Sequence, residues 1–349
     1  MSDADGALHA GYESLNRRRA ALLALLALGI LISLLLDLQA GPADLGLLDV
    51  LRGLLDPEHL DLRRQIILWQ VRLPDALIAL AVGAALGLAG VETQTILDNP
   101  LASPFTLGVS SAAVLGASVA IVLAPVLTPL PEAFTLPVLA LAFALGSGVV
   151  ILLVVRAGGA ARETVVLFGI ALVFLCNALT AALHYVADAD SIQQIVFWTI
   201  GNLTRAGWTE VWIVSACLLL LLPFSLRDVW LLTLLRGGEA QARSLGVDVA
   251  ALRTKVVLRS CLLAAFAVCF VGTIGFIGLV GPHIARLMLG EDHRFLVPGA
   301  ALCGALLLSL ASFLSKALLP GVIIPVGILT AVVGVPVMLG LLFQRRRIP

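Results

Sequence analysis

Residues 72–110 read RLPDALIALAVGAALGLAGVETQTILDNPLASPFTLGVS. Behind Arg72 and Pro74 the chain stays apolar for about twenty residues, the length an α-helix needs to cross the hydrocarbon core of a bilayer. The run breaks at Asn99-Pro100 and Pro104, among small and polar residues, and a new apolar run opens at Leu107. Proline removes a backbone donor and restricts the residue before it, so the break is a turn rather than a weak point in one long helix. The pattern predicts a membrane hairpin with a structured inner turn.

The rest of the chain has the same character. Of 349 residues, 60% are hydrophobic and 13% charged, and mean hydropathy is +1.07. A soluble domain cannot hide this much apolar surface behind so few charges, so lipid is the solvent for most of the chain. Net charge is zero, with no sign of a nucleic-acid partner. The five cysteines, Cys176, Cys217, Cys261, Cys269 and Cys303, all lie in apolar runs without a CxxC pair, which argues against a disulfide framework or a metal site.

Ten spans are expected, near residues 20–36, 73–93, 106–124, 134–155, 163–186, 209–224, 253–271, 276–290, 298–318 and 326–343. The eighth is the weakest, because 256–290 is nearly continuous in hydropathy. Arg17–Arg19 precede the first span and Arg345–Arg347 follow the last. Lys and Arg collect on the cytoplasmic side, so both termini are expected inside and the crossing number is even. Ten crossings put sixteen of the 22 basic residues inside and six outside. The fold class is an all-α polytopic membrane protein: a cytoplasmic tail, 1–16, then one transmembrane domain, 17–349, with an outer loop at 37–71 and a cytoplasmic loop at 225–252. The first span reads as an uncleaved helix rather than a signal peptide, since the polar region before it is long and many spans follow. Within the outer loop, 45–55 has helical apolar periodicity and is expected on the membrane surface.

Four segments carry candidate chemistry. Gly272, Gly275, Gly278 and Gly281 recur every third residue before Pro282; this is either a broken element near a pathway or a close-packed one. Gly83 and Gly87 form a GxxxG pair, read as helix packing. Asn177, Thr180 and His184 fall within about 60° of one another at 100° per residue, a polar stripe on an apolar helix that is expected to line a translocation path. Glu92, beside Gln94, is expected to reach the inner interface, with a proton relay as the other reading. In the inner loop, 240–245 can form a short helix between Gly238 and Gly246, suited to docking or simply solvated.

Absences also discriminate. Neither lysine, Lys255 or Lys316, stands in a GxxxxGK[ST] loop, and no HExxH or GxSxG occurs. The chain is therefore not expected to be an enzyme, and ATP and Mg²⁺, if used, sit on a partner; it carries no cofactor of its own.

Several phrases together resemble the permease subunits of the iron-chelate, haem and cobalamin ATP-binding-cassette importers, the FecCD-type or type II importers. They are RLPDALIALAVGAALGLAG at 72–90, Gln94 with NPLASPFTLGVS at 99–110, GEAQARSLGV at 238–247, GFIGLVGPHIARLMLGEDHRFLVPGAALCGA at 275–305 and PVGILTAVVGVPVMLGLL at 325–342. The resemblance implies ten helices per permease and a central path between two permeases, either two copies of the chain or a pair of related chains. It also implies two cytoplasmic ATPase subunits, a periplasmic or lipoprotein substrate-binding protein, and a place in the inner membrane. It raises Glu239, Arg243 and Gly246 to candidate ATPase-coupling residues and supports the path role of Asn177, Thr180 and His184. Arg72 and Lys316 become candidates for docking the binding protein. The implied cargo is a metal chelate, a ferric siderophore first, then haem, cobalamin or molybdate. An ion-coupled secondary transporter using Glu92 is the rival class. The chain departs from the family at Asp75, where RLPR is usual, at Ser312 and Lys316, where an acid and an arginine are common, at Ile323 for a glutamate, and at Asp98 for a basic residue. Docking of the binding protein is accordingly expected to be weaker or differently patterned.

Overall fold

The structure, a computed structural model, describes residues 3–41, 43, 45–123, 132–157, 162–319 and 321–345. Arg346 and Arg347 of the C-terminal arginine cluster lie outside the described residues, as do Met1 and Ser2 of the N-terminal tail. Helices follow one another throughout: α1 (Asp3–Gln39), α2 (Leu47–Leu55), α3 (Leu62–Ile66), α4 (Leu73–Ile96), α5 (Val109–Val122), α6 (Glu132–Ala157), α7 (Arg162–Val186) and α8 (Ala189–Thr199). The second half adds α9 (Trp208–Arg227), α10 (Val229–Arg236), α11 (Glu239–Ser244), α12 (Val249–Val271), α13 (Ile277–Leu289), α14 (His293–Ala317) and α15 (Val326–Arg345). Among the described residues, seven helical stretches are long and apolar enough to cross a membrane, and three further apolar helices, Val109–Val122, Ile277–Leu289 and Val326–Gly340, are shorter. They fall at the ten places expected from hydropathy.

The hairpin of residues 72–110 forms as read. α4 is apolar from Ala76 to Val91, and the chain turns where Asp98 takes a positive φ of 48° ahead of Pro100. Asn99 Oδ1 accepts from the Leu101 amide at 3.0 Å, and the Ser103 amide donates to Thr106 Oγ1 at 3.2 Å, which turns the chain into α5. The surface helix expected at 45–55 is present as α2, with Leu48 and Leu55 exposed.

The second span starts earlier than expected, at Leu62 instead of 73. Pro74 does not begin it, because a π-helical turn at Ile67–Arg72 lies directly before. The widened turn accommodates the proline ring and its missing donor inside a continuous helix. α8 and α10 were not expected from hydropathy, being only 11 and 8 residues long. Asp188 caps α8 by accepting from the Ser191 amide at 2.7 Å, and this hydrogen bond holds its carboxyl below the usual carboxylate range.

α4 sits at the centre, its apolar window 83% buried, against 22% for α7 and 17% for α9. The GxxxG pair works by contact. A Cβ on Gly83 would strike the Gly304 carbonyl of α14, one on Gly87 the Ala300 carbonyl, and one on Gly90 the Gly278 carbonyl of α13. With no hydrophobic drive between helices in lipid, such backbone approach supplies the packing.

The glycine-rich tract of residues 272–282 is broken in its first half and close-packed in its second. α12 ends at Val271, and 272–276 is non-helical, with Gly272 at φ +76° and Phe276 at φ +67°. Its backbone is taken up within protein: the Asn202 amide donates to Val271 O at 2.7 Å and Thr273 Oγ1 donates to Thr199 O at 2.6 Å. Helix resumes at Ile277, where Gly278 and Gly281 meet α4 and α14. Broken backbone is tolerated at membrane depth where protein satisfies it. Replacing Gly87 by Ala is expected to cost about 1–3 kcal/mol through overpacking, whereas Gly146→Ala, with open space around it, should be neutral or slightly stabilising; thermal unfolding in detergent separates the two.

Candidate functional site

The path candidates lie on α7, which packs one face on α5 through Cys176, Leu172 and Leu183. Thr180 is buried, His184 is half-buried and Asn177 is exposed. Among the described residues, Thr180 Oγ1 and His184 Nε2 find no hydrogen-bond partner. Asn177 stands among Phe174, Leu175 and Leu179, all more than 45% exposed. The stripe thus straddles the edge of the packed face. A carboxamide and two unsatisfied polar atoms on an otherwise apolar helix in lipid require a further partner: water, a ligand or a second chain.

The coupling candidates form α11 and the turn after it. Arg243 donates to Glu239 Oε1 at 2.6 Å, and Arg253 of α12 donates to Glu239 Oε2 at 3.2 Å. Arg253 is buried and Arg243 exposed, so Glu239 ties an exposed short helix to the bundle. Leu245 is 59% exposed at the tip. Gly246 holds φ +84°, a conformation that favours glycine and returns the chain to α12.

The same end of the bundle carries residues whose roles the sequence left unread. Arg236 of α10 donates to Asp98 at 2.8 Å and to Glu291 at 3.2 Å; Arg286 of α13 donates to Glu291 at 3.1 Å and to Gln94 at 3.0 Å. His293 is buried, with Nε2 2.9 Å from Thr95 Oγ1 and Nδ1 3.3 Å from Thr233 Oγ1. Arg294 lies 4.7 Å from the Trp230 ring and pairs with Asp292, whose carboxyl that hydrogen bond holds below the usual range. The signal was Gly290 followed by Asp292 as a helix N-cap. These contacts join α4, α10, α13 and α14 into one layer behind α11. Asp98, a departure from the resembled family, is answered by Arg236.

Glu92 does not reach the interface. It is fully buried, and Arg259 of α12 grips both carboxylate oxygens, with Nε at 2.9 and 3.0 Å. Arg259 Nη1 also donates to Asp228 at 2.9 Å. A buried carboxylate needs a paired, hydrogen-bonded cation close by, and this one has it.

The docking candidates Arg72 and Lys316 are not surface charges. Arg72 is 4% exposed; its guanidinium donates to Leu38 O at 2.9 Å, Gln39 O at 3.0 Å and Ala43 O, capping the last carbonyls of α1. Lys316 Nζ lies 3.0 Å from Asp37 and 3.8 Å from Asp75, all three buried, and Ser312 Oγ donates to Asp37 at 2.8 Å. Both cations are engaged inside the bundle rather than displayed on its surface, where docking charges were expected. Three of the departures, Asp75, Ser312 and Lys316, meet in this one cluster. Of the other two, Asp98 pairs with Arg236 and Ile323 is 43% exposed beside Val322. Among the described residues no group of His, Cys, Asp and Glu could hold a metal ion.

Lys316→Met is expected to destabilise by roughly 3–5 kcal/mol, since it strands two buried carboxylates. The triple variant Asp37→Asn, Asp75→Asn, Lys316→Met should recover most of that loss in the same detergent melt, and failure to recover would show that Lys316 acts by packing instead.

The model of the FecCD transport family matches residues 27–344. The hemin transport system permease protein HmuU of Yersinia pestis is 37% identical over 322 residues, 92% of this chain and 96% of HmuU. The vitamin B12 import system permease protein BtuC of Citrobacter koseri is 33% identical over 342 residues, 95% of this chain and 97% of BtuC. Among solved structures, a metal-chelate type ABC transporter in an inward-facing conformation superposes with a TM-score of 0.82 at 31% identity, covering 93% of this chain and 99% of that one. With ten apolar helices in the expected order and that fold, the chain belongs to the FecCD transport family.

Proposed function

We propose that the chain is the membrane-spanning permease of an ATP-binding-cassette importer for a metal chelate, a ferric siderophore first, with haem, cobalamin and molybdate as alternative cargoes. It works in the cytoplasmic membrane with both termini inside: residues 1–16 are a cytoplasmic tail and 17–349 one permease domain. Its partners are a second copy of itself, two ATPase subunits that bind ATP and Mg²⁺, and a periplasmic or lipoprotein binding protein. The chain itself is a conduit, not an enzyme.

The observation that carries this reading is α11: a short exposed helix with a bare leucine, tied by Glu239–Arg253 to the long helix α12. A push on α11 by an ATPase subunit passes into α12 at Arg253 without relying on the flexibility of a loop. The layer held by Arg236, Arg286 and His293 passes it on to α4, α13 and α14. ATP-dependent closure then shifts the bundle between outward-open and inward-open arrangements, and only a partner that binds these states differently can drive the shift. The path runs between two copies along α7, where Asn177, Thr180 and His184 find water or cargo. The internal pairing of Glu92 with Arg259 disfavours the rival ion-coupled transporter, because both oxygens of the candidate coupling carboxylate are already held by a buried guanidinium.

Two experiments test this. In proteoliposomes containing the permease, its ATPase and its binding protein, Glu239→Ala with Arg243→Ala should lower cargo-stimulated ATP hydrolysis and uptake by tenfold or more at unchanged membrane insertion. Uptake that persists without the ATPase, or collapses with the ion gradient, refutes the importer reading. In a variant lacking the five native cysteines, Asn177→Cys and His184→Cys should react with a charged maleimide, and the label should block uptake. Protection of both positions from the reagent in every nucleotide state argues against the path.

A further inference from the structure

A cavity of about 560 Å³ opens between α9 and α12 at the end of the bundle that carries α11. Its polar end is made by Arg227, Asp228, Lys255 and Arg259, and its walls include Phe224 and Leu258. Arg259 is shared between Glu92 and Asp228, and the lining sets three cations, Arg227, Lys255 and Arg259, against the single carboxylate of Asp228. Arg227 and Lys255 are exposed, and neither makes an ion pair among the described residues. The apolar wall continues up the outside of the bundle: Phe224 is 53% exposed, Leu220 68% and Leu219 65%.

We infer that this groove binds an anionic phospholipid, with the headgroup phosphate between Arg227 and Lys255 and an acyl chain along Phe224 and Leu220. Two charges without counter-ions at the head of an apolar groove select an anion that carries its own hydrocarbon. Basic pockets between transmembrane helices hold anionic headgroups in this way. A free phosphate would satisfy the cations and leave the apolar wall unused. Arg259 then acts as the fixed floor of the site, since Glu92 holds it in place from inside. The inference does not depend on the cargo or on the presence of a partner.

The test is lipid retention. The permease is taken from nanodiscs made of equal parts dioleoylphosphatidylglycerol and dioleoylphosphatidylcholine into native mass spectrometry. One phosphatidylglycerol per chain is expected to remain bound, at about ten- to thirtyfold preference over phosphatidylcholine, from the charge contribution of two cations. Arg227→Gln with Lys255→Gln should bring the preference to near parity, and because both side chains are exposed the variant should melt like the parent protein. Arg63→Gln with Arg64→Gln, in α3, should leave the preference unchanged. Equal retention of the two lipids, or a preference unaltered in the Arg227/Lys255 variant, overturns the inference. Displacement of the lipid by millimolar inorganic phosphate would make this a site for free oxyanions and overturns it too. Loss of the bound lipid on adding the ATPase subunit would reassign the groove to that protein.

Discussion

The approach of α4 to α13 and α14 is the constraint from which the rest of the bundle follows. Gly83, Gly87 and Gly90 face Gly304, Ala300 and Gly278 so closely that no side chain fits between the backbones. A helix gripped on two sides in this way cannot slide or rotate alone. Its polar residues therefore sit at fixed depths, and every group they pair with must come to them. Glu92 receives Arg259, Gln94 receives Arg286, Thr95 receives His293 and Asp75 receives Lys316. Packing through small residues and pairing through charges are one arrangement, because lipid neither solvates a stray carboxylate nor forces two helices together.

The buried cluster at the other end of α4 follows the same logic. An aspartate at position 75 in place of an arginine would be ruinous in isolation, since it puts a carboxylate beside another buried acid, Asp37. Lys316 answers both, and Ser312, where an acid is common in the resembled family, avoids a third negative charge while donating to Asp37. The departures that looked separate along the chain are mutually compensating in space. They join α1, α4 and α14, whereas Ile323 is exposed and lies outside the cluster.

Much of the fold was legible because hydropathy and proline positions act locally. Apart from the starts of the first two spans, the ten apolar helices, the turn at 99–108, the surface helix α2 and the short helix α11 appear within a few residues of their expected places, while α1 runs back to Asp3, well ahead of the start expected near residue 20. The boundary at Leu62 was not legible, since a π-helical turn leaves no hydropathy signal. α8 and α10 were missed because each is too short to cross a membrane, although Asp188 was a visible cap. The site residues fared unevenly for a physical reason. Exposure can be guessed from a stripe, as at Asn177, but the partner of a buried charge is set by tertiary contact. Arg72, Glu92 and Lys316 lie 34, 167 and 279 positions or so from the groups that hold them, and no local pattern announces such pairs.

These pairs also limit how the bundle can move. Opening a path by bending α4 or α12 would pull Arg259 from Glu92 or Arg253 from Glu239, and a separated buried pair costs several kcal/mol. Motion that keeps the pairs intact costs far less, so α4, α12, α13 and α14 are expected to travel as one body. The segment 272–276 is the exception within that body: only its ends, Gly272 and Phe276, share helical hydrogen bonds with α12 and α13, and its other contacts run to the 199–202 segment and α15. α7 is the opposite case, lightly packed, with its polar stripe unsatisfied. The bundle thus divides into a rigid, charge-locked group, within which any motion has to be shared, and a loosely held helix whose polar groups lack partners among the described residues.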